Sequence, residues 1–369
     1  MALVILSTTG AGIQYPVQLA NTLSSLINVT IFVPSSHSSL TLSDQVEVVY
    51  YSKDDLLFPI NLLYEVVGLH FEDYFDVIHL PFYSEYMIFL TLPLRLLNTP
   101  VVGTIHDPRS HSDDIFTLFG KKIDVMGYLR SLFSRTMDRL IVHGEETRRQ
   151  AISIGYQAEK LQIVPHGLYS HFKVDEKQSL PPMVPDNEYV LFFGRIRQNK
   201  GYDMIPDIMS TVNRQVDREV NALVAGSPGK REMWANRVLA ELEIAPNVLV
   251  YDEYVPDDLV KPLFKAASVV ALPYRDASMS GVVMIAYMFD RPVVATDTGD
   301  IGRMVRNDES GLIAMPGDAE DFGNKLALLL NDDDLRQSIT ERIGIRKERY
   351  TWDKVAAETL DVYRAAVDR

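Results

Sequence analysis

Short apolar runs rich in β-branched residues recur through the first half of the chain: Ala2–Leu6, Val29–Val33, Val46–Tyr50, Val77–Leu80, Val101–Ile105 and Leu140–His143. Longer segments with helical spacing, such as Tyr15–Ile27, separate several of them. A short, nearly continuous apolar run predicts a strand buried on both faces. Strands alternating with helices predict a parallel sheet covered by helices. Residues 173–187 break the pattern with Pro181, Pro182, Pro185 and several charges, and so predict an exposed connector. The alternation then restarts. Tyr189–Phe193, Ala222–Ala225, Val248–Tyr251, Val269–Leu272 and Pro292–Thr296 are the expected strands, with helices over Tyr202–Val212 and Arg231–Leu242. Ala319–Leu330, Asp333–Ile343 and Trp352–Val367 read as helices. The expected fold class is α/β, with two Rossmann-like doubly wound domains: residues 1–172, a linker 173–187, and residues 188–349, followed by a closing segment 350–369.

Composition narrows the picture. The 369 residues are 47% hydrophobic, enough for two cores. A formal net charge of −14 argues against nucleic acid as a partner, because phosphate backbones need clustered cations. The absence of cysteine removes disulfides, thiolate metal sites and a cysteine nucleophile. The N-terminus has no basic stretch of signal-peptide type, and no apolar run approaches the roughly 20 residues that span a bilayer.

In open parallel sheets ligands sit beyond the carboxyl ends of strands, so the loops that follow strands carry the candidate chemistry. The first is Ser7 to Gly12, whose Gly10 and Gly12 suit either a close backbone approach to a ligand or a tight turn. In the second, Gly194 and Arg195 lead through Arg197 to Lys200 and Gly201. Three cations there face either an anion or solvent. The third, Pro273–Val282, ends in Ser278-Met279-Ser280-Gly281 at the start of a helix, where hydroxyls and N–H groups make an anion seat or a plain N-cap. The fourth, Thr296–Asp300, holds a ribose or turns the chain.

Gly194-Arg195 with Lys200-Gly201, the Pro273–Val282 loop and the run from Pro292 to Gly299 resemble the family 4 glycosyltransferases, the group 1 type of the GT-B fold. Thr104-Ile105-His106-Asp107, Ile163 to Gly167 and Tyr350 to Asp353 extend the resemblance over nearly the whole chain. It implies two lobes facing across a cleft, with the closing helix crossing back to the first. It also implies a nucleotide-diphosphate sugar as donor, a glycan, lipid-linked or small acceptor, and transfer with retention of anomeric configuration. Arg195 and Lys200 would neutralise the diphosphate. Gly194, Ser280, Gly281 and Val282 would line it, Gly12 would approach it, and Tyr254 would pack near the base or in the core. His106 would lie beside the transferred sugar. Fixed cations and helix N–H groups can serve the leaving group unaided, so no metal and no cofactor is expected.

The family often carries two glutamates around the third loop. Ala277 and Ile285 stand at those positions here, and Asp276, one residue early, is the replacement candidate. The alternative is an inactive sugar-nucleotide-binding or partner subunit on the same fold. His111, His143 and His166 read as structural. Segment 114–140 mixes Phe116, Phe119, Tyr128 and Phe133 with Lys121, Lys122, Arg130, Arg135 and Arg139. It reads either as an ordinary helix region or as a peripheral membrane contact, in a cytoplasmic protein at the inner face of the plasma membrane.

Overall fold

The computed structural model describes residues 2–6, 12–37, 40–52, 58–72, 75–81, 98–108, 116–118, 121–123, 131–132, 134–172, 184–228 and 233–368. The chain divides into two compact units, Met1–Gly167 with Tyr350–Arg369, and Leu168–Arg349.

The first unit contains β1 (Ala2–Leu6), β2 (Asn28–Pro34), β3 (Val46–Tyr51), β4 (Val77–Leu80), β5 (Val101–Ile105), β6 (Phe116–Leu118), β7 (Lys121–Ile123), β8 (Arg139–Val142) and β9 (Leu161–Ile163). Seven of these make one parallel sheet in the order β3-β2-β1-β4-β5-β8-β9. Side chains alternate between its faces, as the pleat demands. Val29, Ile31, Val33, Val77, Val102 and Ile141 join one core cluster with the helix Gln14–Leu23. Phe32, Ile78, Val101, Leu140 and Val142 join the other. Each such side chain contributes roughly 1.5–3 kcal/mol by leaving water. The closing helix Trp352–Val367 packs in the first cluster through Trp352, Val355, Leu360 and Tyr363.

The segment read as a basic, aromatic helix region is different in part. Phe116–Leu118 and Lys121–Ile123 pair antiparallel, with Leu118 opposite Lys121. β-branched Thr117 and Ile123 favour pairing over a helix in these two short runs. The side chains named for membrane contact at 116–130 and at Phe133 lie outside the described residues, as do Ser7–Ala11, His111 and most of the linker. Among the described residues, no helix is long and apolar enough to cross a membrane.

The second unit holds β10 (Tyr189–Phe193), β11 (Asn221–Ala225), β12 (Val248–Tyr251), β13 (Val269–Leu272), β14 (Val293–Thr296) and β15 (Gly311–Ala314). They form a parallel sheet ordered β12-β11-β10-β13-β14-β15. Leu191 of β10 is registered with Leu223 on one side and Val270 on the other. The strand order therefore reverses beside β10, and the loops after β10 and β13 open on the topological switch point. The helix Ile205–Gln215 buries Ile205, Ile208, Met209 and Val212, a single helical face.

Candidate functional site

In the second unit the loops after β10 and β13 are bound into one structure. The backbone N–H groups of Arg275 and Asp276 both donate to the Asn199 carbonyl, at 2.8 and 3.3 Å. Asn199 Nδ2 returns a bond of 2.9 Å to the Asp276 carbonyl. Arg275 grips Asp203 with both guanidinium nitrogens, the second at 2.8 Å. That hydrogen-bonded carboxylate raises the Arg275 pKa. Gly201 sits at φ +70°, where a Cβ would collide with the Pro273 carbonyl.

This frame gathers most of the expected donor residues. Lys200 Nζ lies 5.2 Å from the centre of the Tyr274 ring, a cation–π distance. A Cβ at Gly194 would stand 3.0 Å from Lys200 Nζ and 3.6 Å from Val282 Cγ2, so these three residues converge. Ser280 caps the helix Gly281–Met288 by accepting from the Val282 N–H at 3.2 Å, and its hydroxyl lies 3.3 Å from that of Tyr274. Burial, then the neighbouring Tyr274, push the Tyr202 phenol well above its ordinary range. It therefore donates as a neutral hydroxyl to the Gly194 carbonyl at 2.8 Å. Tyr169 approaches Gly281 so closely that any Cβ there would strike its hydroxyl.

Charge decides what this corner can take. Arg275 is held by Asp203 and Arg306 by Asp297. Neither Arg195, which is exposed, nor Lys200 forms an ion pair among the described residues. Lys200 therefore leaves an unneutralised positive charge where Gly194 and Val282 converge at the start of the capped helix, a combination that can take an anion, with Arg195 exposed in the same loop.

The fourth loop is a buttress. The Thr296 hydroxyl donates to the Tyr274 carbonyl, the Asp300 N–H donates to Ser278 O at 2.8 Å, and Asp297 is bonded to Arg306 at 2.7 Å. Of the two positions without a carboxylate, Ala277 lies against Gly299, and Ile285 is buried. Asp276 is exposed at the loop tip and fastened to Asn199 through its backbone. Tyr254 is 72% exposed, not core, and its hydroxyl donates to Asp257 at 3.2 Å. No contact among the described residues joins Tyr254 to the seat.

The first unit has its own polar centre. Gly12 accepts the Tyr15 N–H at 3.1 Å, at the start of the helix Gln14–Leu23. Tyr15 then stands with its ring 5.1–5.3 Å from the rings of His106, His143 and His166. His106 Nε2 is 3.0 Å from the Pro81 carbonyl, and its Nδ1 is 3.1 Å from His143 Nε2. His143 Nδ1 meets the Val164 carbonyl at 2.9 Å. His79, fully buried, bridges Thr104 and Tyr363 at 2.8 Å each. Burial lowers all four imidazoles: His79 and His106 to about 3, His166 to about 4, and His143 well below its ordinary value. Nearby histidines add to the effect at His106 and His143. Residue spacing did not reveal this group, because its members come from the ends of different strands. Among the described residues no cluster of three or more His, Asp or Glu side chains is arranged to hold a metal ion.

Comparison with known proteins adds the following. Residues 14–170 match the family described as Glycosyltransferase Family 4, and residues 187–332 match that described as Glycosyl transferases group 1. A D-inositol 3-phosphate glycosyltransferase of Corynebacterium urealyticum is 30% identical over 179 residues, covering 47% of this chain and 42% of the relative. This chain spans about half the length of such curated relatives, 53% for one from Nocardia farcinica. An uncharacterized glycosyltransferase of Methanocaldococcus jannaschii is 23% identical, covering 82% of this chain and 78% of its own. Among solved structures, sucrose-phosphate synthase of Thermosynechococcus elongatus has a TM-score of 0.77 at 17% identity, covering 98% of both chains. Anabaena HepE in complex with UDP and glucose has 0.75 at 18%, covering 98% of this chain and 99% of its own.

Proposed function

We propose, from the premise that the chain belongs to the family 4, group 1 glycosyltransferases, that it moves a sugar from a nucleotide-diphosphate donor to a glycan, lipid-linked or small acceptor with retention of anomeric configuration. The observation that carries this reading is Lys200, without an ion-pair partner among the described residues, at the switch point where Gly194 and Val282 of the Ser280-capped helix converge, with Arg195 exposed in the same loop as a second such cation. A departing diphosphate develops negative charge, and fixed donors aimed at it lower the barrier without reorganising. Lys200 lies over the Tyr274 face, close to Gly194, so it supplies that charge from a set position. In this reading the donor needs no metal ion, the second unit binds the nucleotide, and the first unit takes the acceptor, with His106 acting on the transferred sugar.

Calorimetry with UDP, GDP and ADP, with and without magnesium, tests the donor side. One nucleotide should bind selectively and equally well without magnesium. Arg195→Ala and Lys200→Ala should each lower its affinity roughly 10- to 100-fold, the loss of a charge-assisted contact worth about 1.5–3 kcal/mol. Unchanged affinity in both variants removes the donor site from this corner. His106→Ala should leave nucleotide affinity intact while slowing donor turnover, and full turnover in that variant would take His106 out of the reaction.

A further inference from the structure

The contact between His106 and His143 poses a proton-counting problem. A backbone carbonyl can only accept, so His106 Nε2, 3.0 Å from Pro81 O, must carry a hydrogen. The same holds for His143 Nδ1, 2.9 Å from Val164 O. A neutral imidazole has one N–H, so in two neutral rings both hydrogens are then committed outward. The inner nitrogens, His106 Nδ1 and His143 Nε2, would face each other at 3.1 Å as two lone pairs. Three contacts need three hydrogens, and the neutral pair has two. Either mixed pair of neutral tautomers moves the deficit to one carbonyl, and the pair with both hydrogens inward sets two N–H groups face to face and leaves both carbonyls without a donor. His79 has no such deficit, because its two partners are hydroxyls that turn to donate or accept.

We propose that His106 and His143 act as one acid–base unit that takes a single proton from solvent between their facing nitrogens, and that His143 is thereby a positioning residue setting the orientation and charge of His106.

The surroundings set how tightly that proton is held. Tyr15 presents its ring from the helix Gln14–Leu23, and His166 comes from the segment after β9, 5.2 Å from His143 and 6.1 Å from His106. His79 and Thr104 lie on β4 and β5, with Tyr363 behind His79 and Trp352 against Tyr15 and His166, both from the closing helix. Asp107, next to His106, is exposed. Glu145 and Glu146 head the helix that follows His143, with Glu146 paired to Arg149. Burial and the neighbouring imidazoles oppose a charge here, while the shared hydrogen bond favours it. The two rings therefore titrate as a pair, and a second proton is excluded. The proton count stands on geometry. Its bearing on transfer rests on the role proposed for His106.

The test is nitrogen NMR of the full chain with 15N-labelled histidine, titrated from neutral toward acidic pH and assigned with single-histidine variants. One proton should be gained by the two rings together, with scalar coupling between the facing nitrogens. In His143→Phe, His106 should take up its proton only at lower pH than the pair does. In His143→Gln, an amide N–H can donate to His106 Nδ1 without titrating. That variant should keep the ring of His106 in place and lose the acidic limb that the pair gives to the pH profile of donor turnover. Independent titration of the two rings, or inner nitrogens that stay bare until the protein unfolds, would overturn the shared proton. A shared proton accompanied by an unchanged pH profile in His143→Gln would overturn the positioning role without touching the donor-site reading, which nucleotide calorimetry tests separately.

Discussion

Acid should unfold the first unit well before the second. His79, His106, His143 and His166 all belong to the first unit, and burial holds every one of them below its ordinary value of 6.5, to about 3 for His79 and His106 and about 4 for His166. The sign follows from proton counts. Below pH 6.5 an unfolded chain protonates all four imidazoles, whereas the folded unit stays neutral until its much lower values are reached. Stability is therefore complete above pH 6.5 and is lost progressively as the pH falls toward about 3–4. Each histidine kept neutral contributes a slope of about 1.4 kcal/mol per pH unit. Once the His106–His143 pair has taken its one proton, three uptakes remain, or about 4 kcal/mol per pH unit. Domain stabilities of roughly 5–15 kcal/mol are exhausted within a few pH units at that rate. In the second unit His171 is also lowered, but Asp257 works against the shift.

The two tryptophans make this measurable. Trp352 packs against Tyr15 and His166 in the first unit, and Trp234 lies in the helix Met233–Glu243 of the second. Urea unfolding of Trp234→Phe and Trp352→Phe variants, each reporting one unit, should show a steep loss of midpoint below pH 6.5 for the first and a shallow one for the second. His79→Asn should flatten the first slope by about one proton while lowering stability at neutral pH, since Thr104 and Tyr363 lose a buried partner. Parallel slopes in the two units would show that the histidine cluster is not held neutral by burial.

The alternation of apolar runs was enough to find the layered parallel sheets, because strands buried on both faces leave short, β-branched apolar runs at regular intervals. The short strands β9 and β15 escaped it. Gln162 interrupts one and Gly311 opens the other, so neither shows a β-branched run. Gly194, Lys200, Ser280 and Val282 were legible as candidates because each stands in a loop just after a strand or in the first turn of the helix that follows it, and the sheet order brings two of those loops together. What reading along the chain could not supply was the coupling between them. Tyr274 looks like an ordinary aromatic until its ring is found under Lys200, and Asn199 and Asp203 look like solvated turn residues until they meet residues more than 70 positions away. His143 likewise read as structural, since its partner His106 lies 37 residues earlier.

Gly201→Ala should damage the second unit more than removal of either donor cation. Two independent requirements meet at this residue. Its φ of +70° is left-handed, a conformation that costs an alanine roughly 1–2 kcal/mol. In addition, the new Cβ would be driven into the carbonyl oxygen of Pro273, a backbone atom that no rotamer change can move aside. Relief requires the Gln198–Lys200 turn to shift away from the β13 loop. That shift strains the bonds from Asn199 to Arg275 and Asp276, the grip of Arg275 on Asp203 and the placement of Lys200 over Tyr274. Strain and lost contacts together should lower the stability of this unit by roughly 2–4 kcal/mol. Nucleotide affinity should fall more than 10-fold beyond the loss in Lys200→Ala. Gly317 provides the control, because its φ of +80° carries the same left-handed penalty with nothing within 4 Å of the added Cβ. Gly317→Ala should therefore cost only that roughly 1–2 kcal/mol and leave nucleotide binding unchanged. Denaturant unfolding followed through Trp234, paired with calorimetry on the same samples, separates the two effects. Equal, small losses in both variants would mean that the close approach of Gly201 to Pro273 does not hold the two loops together.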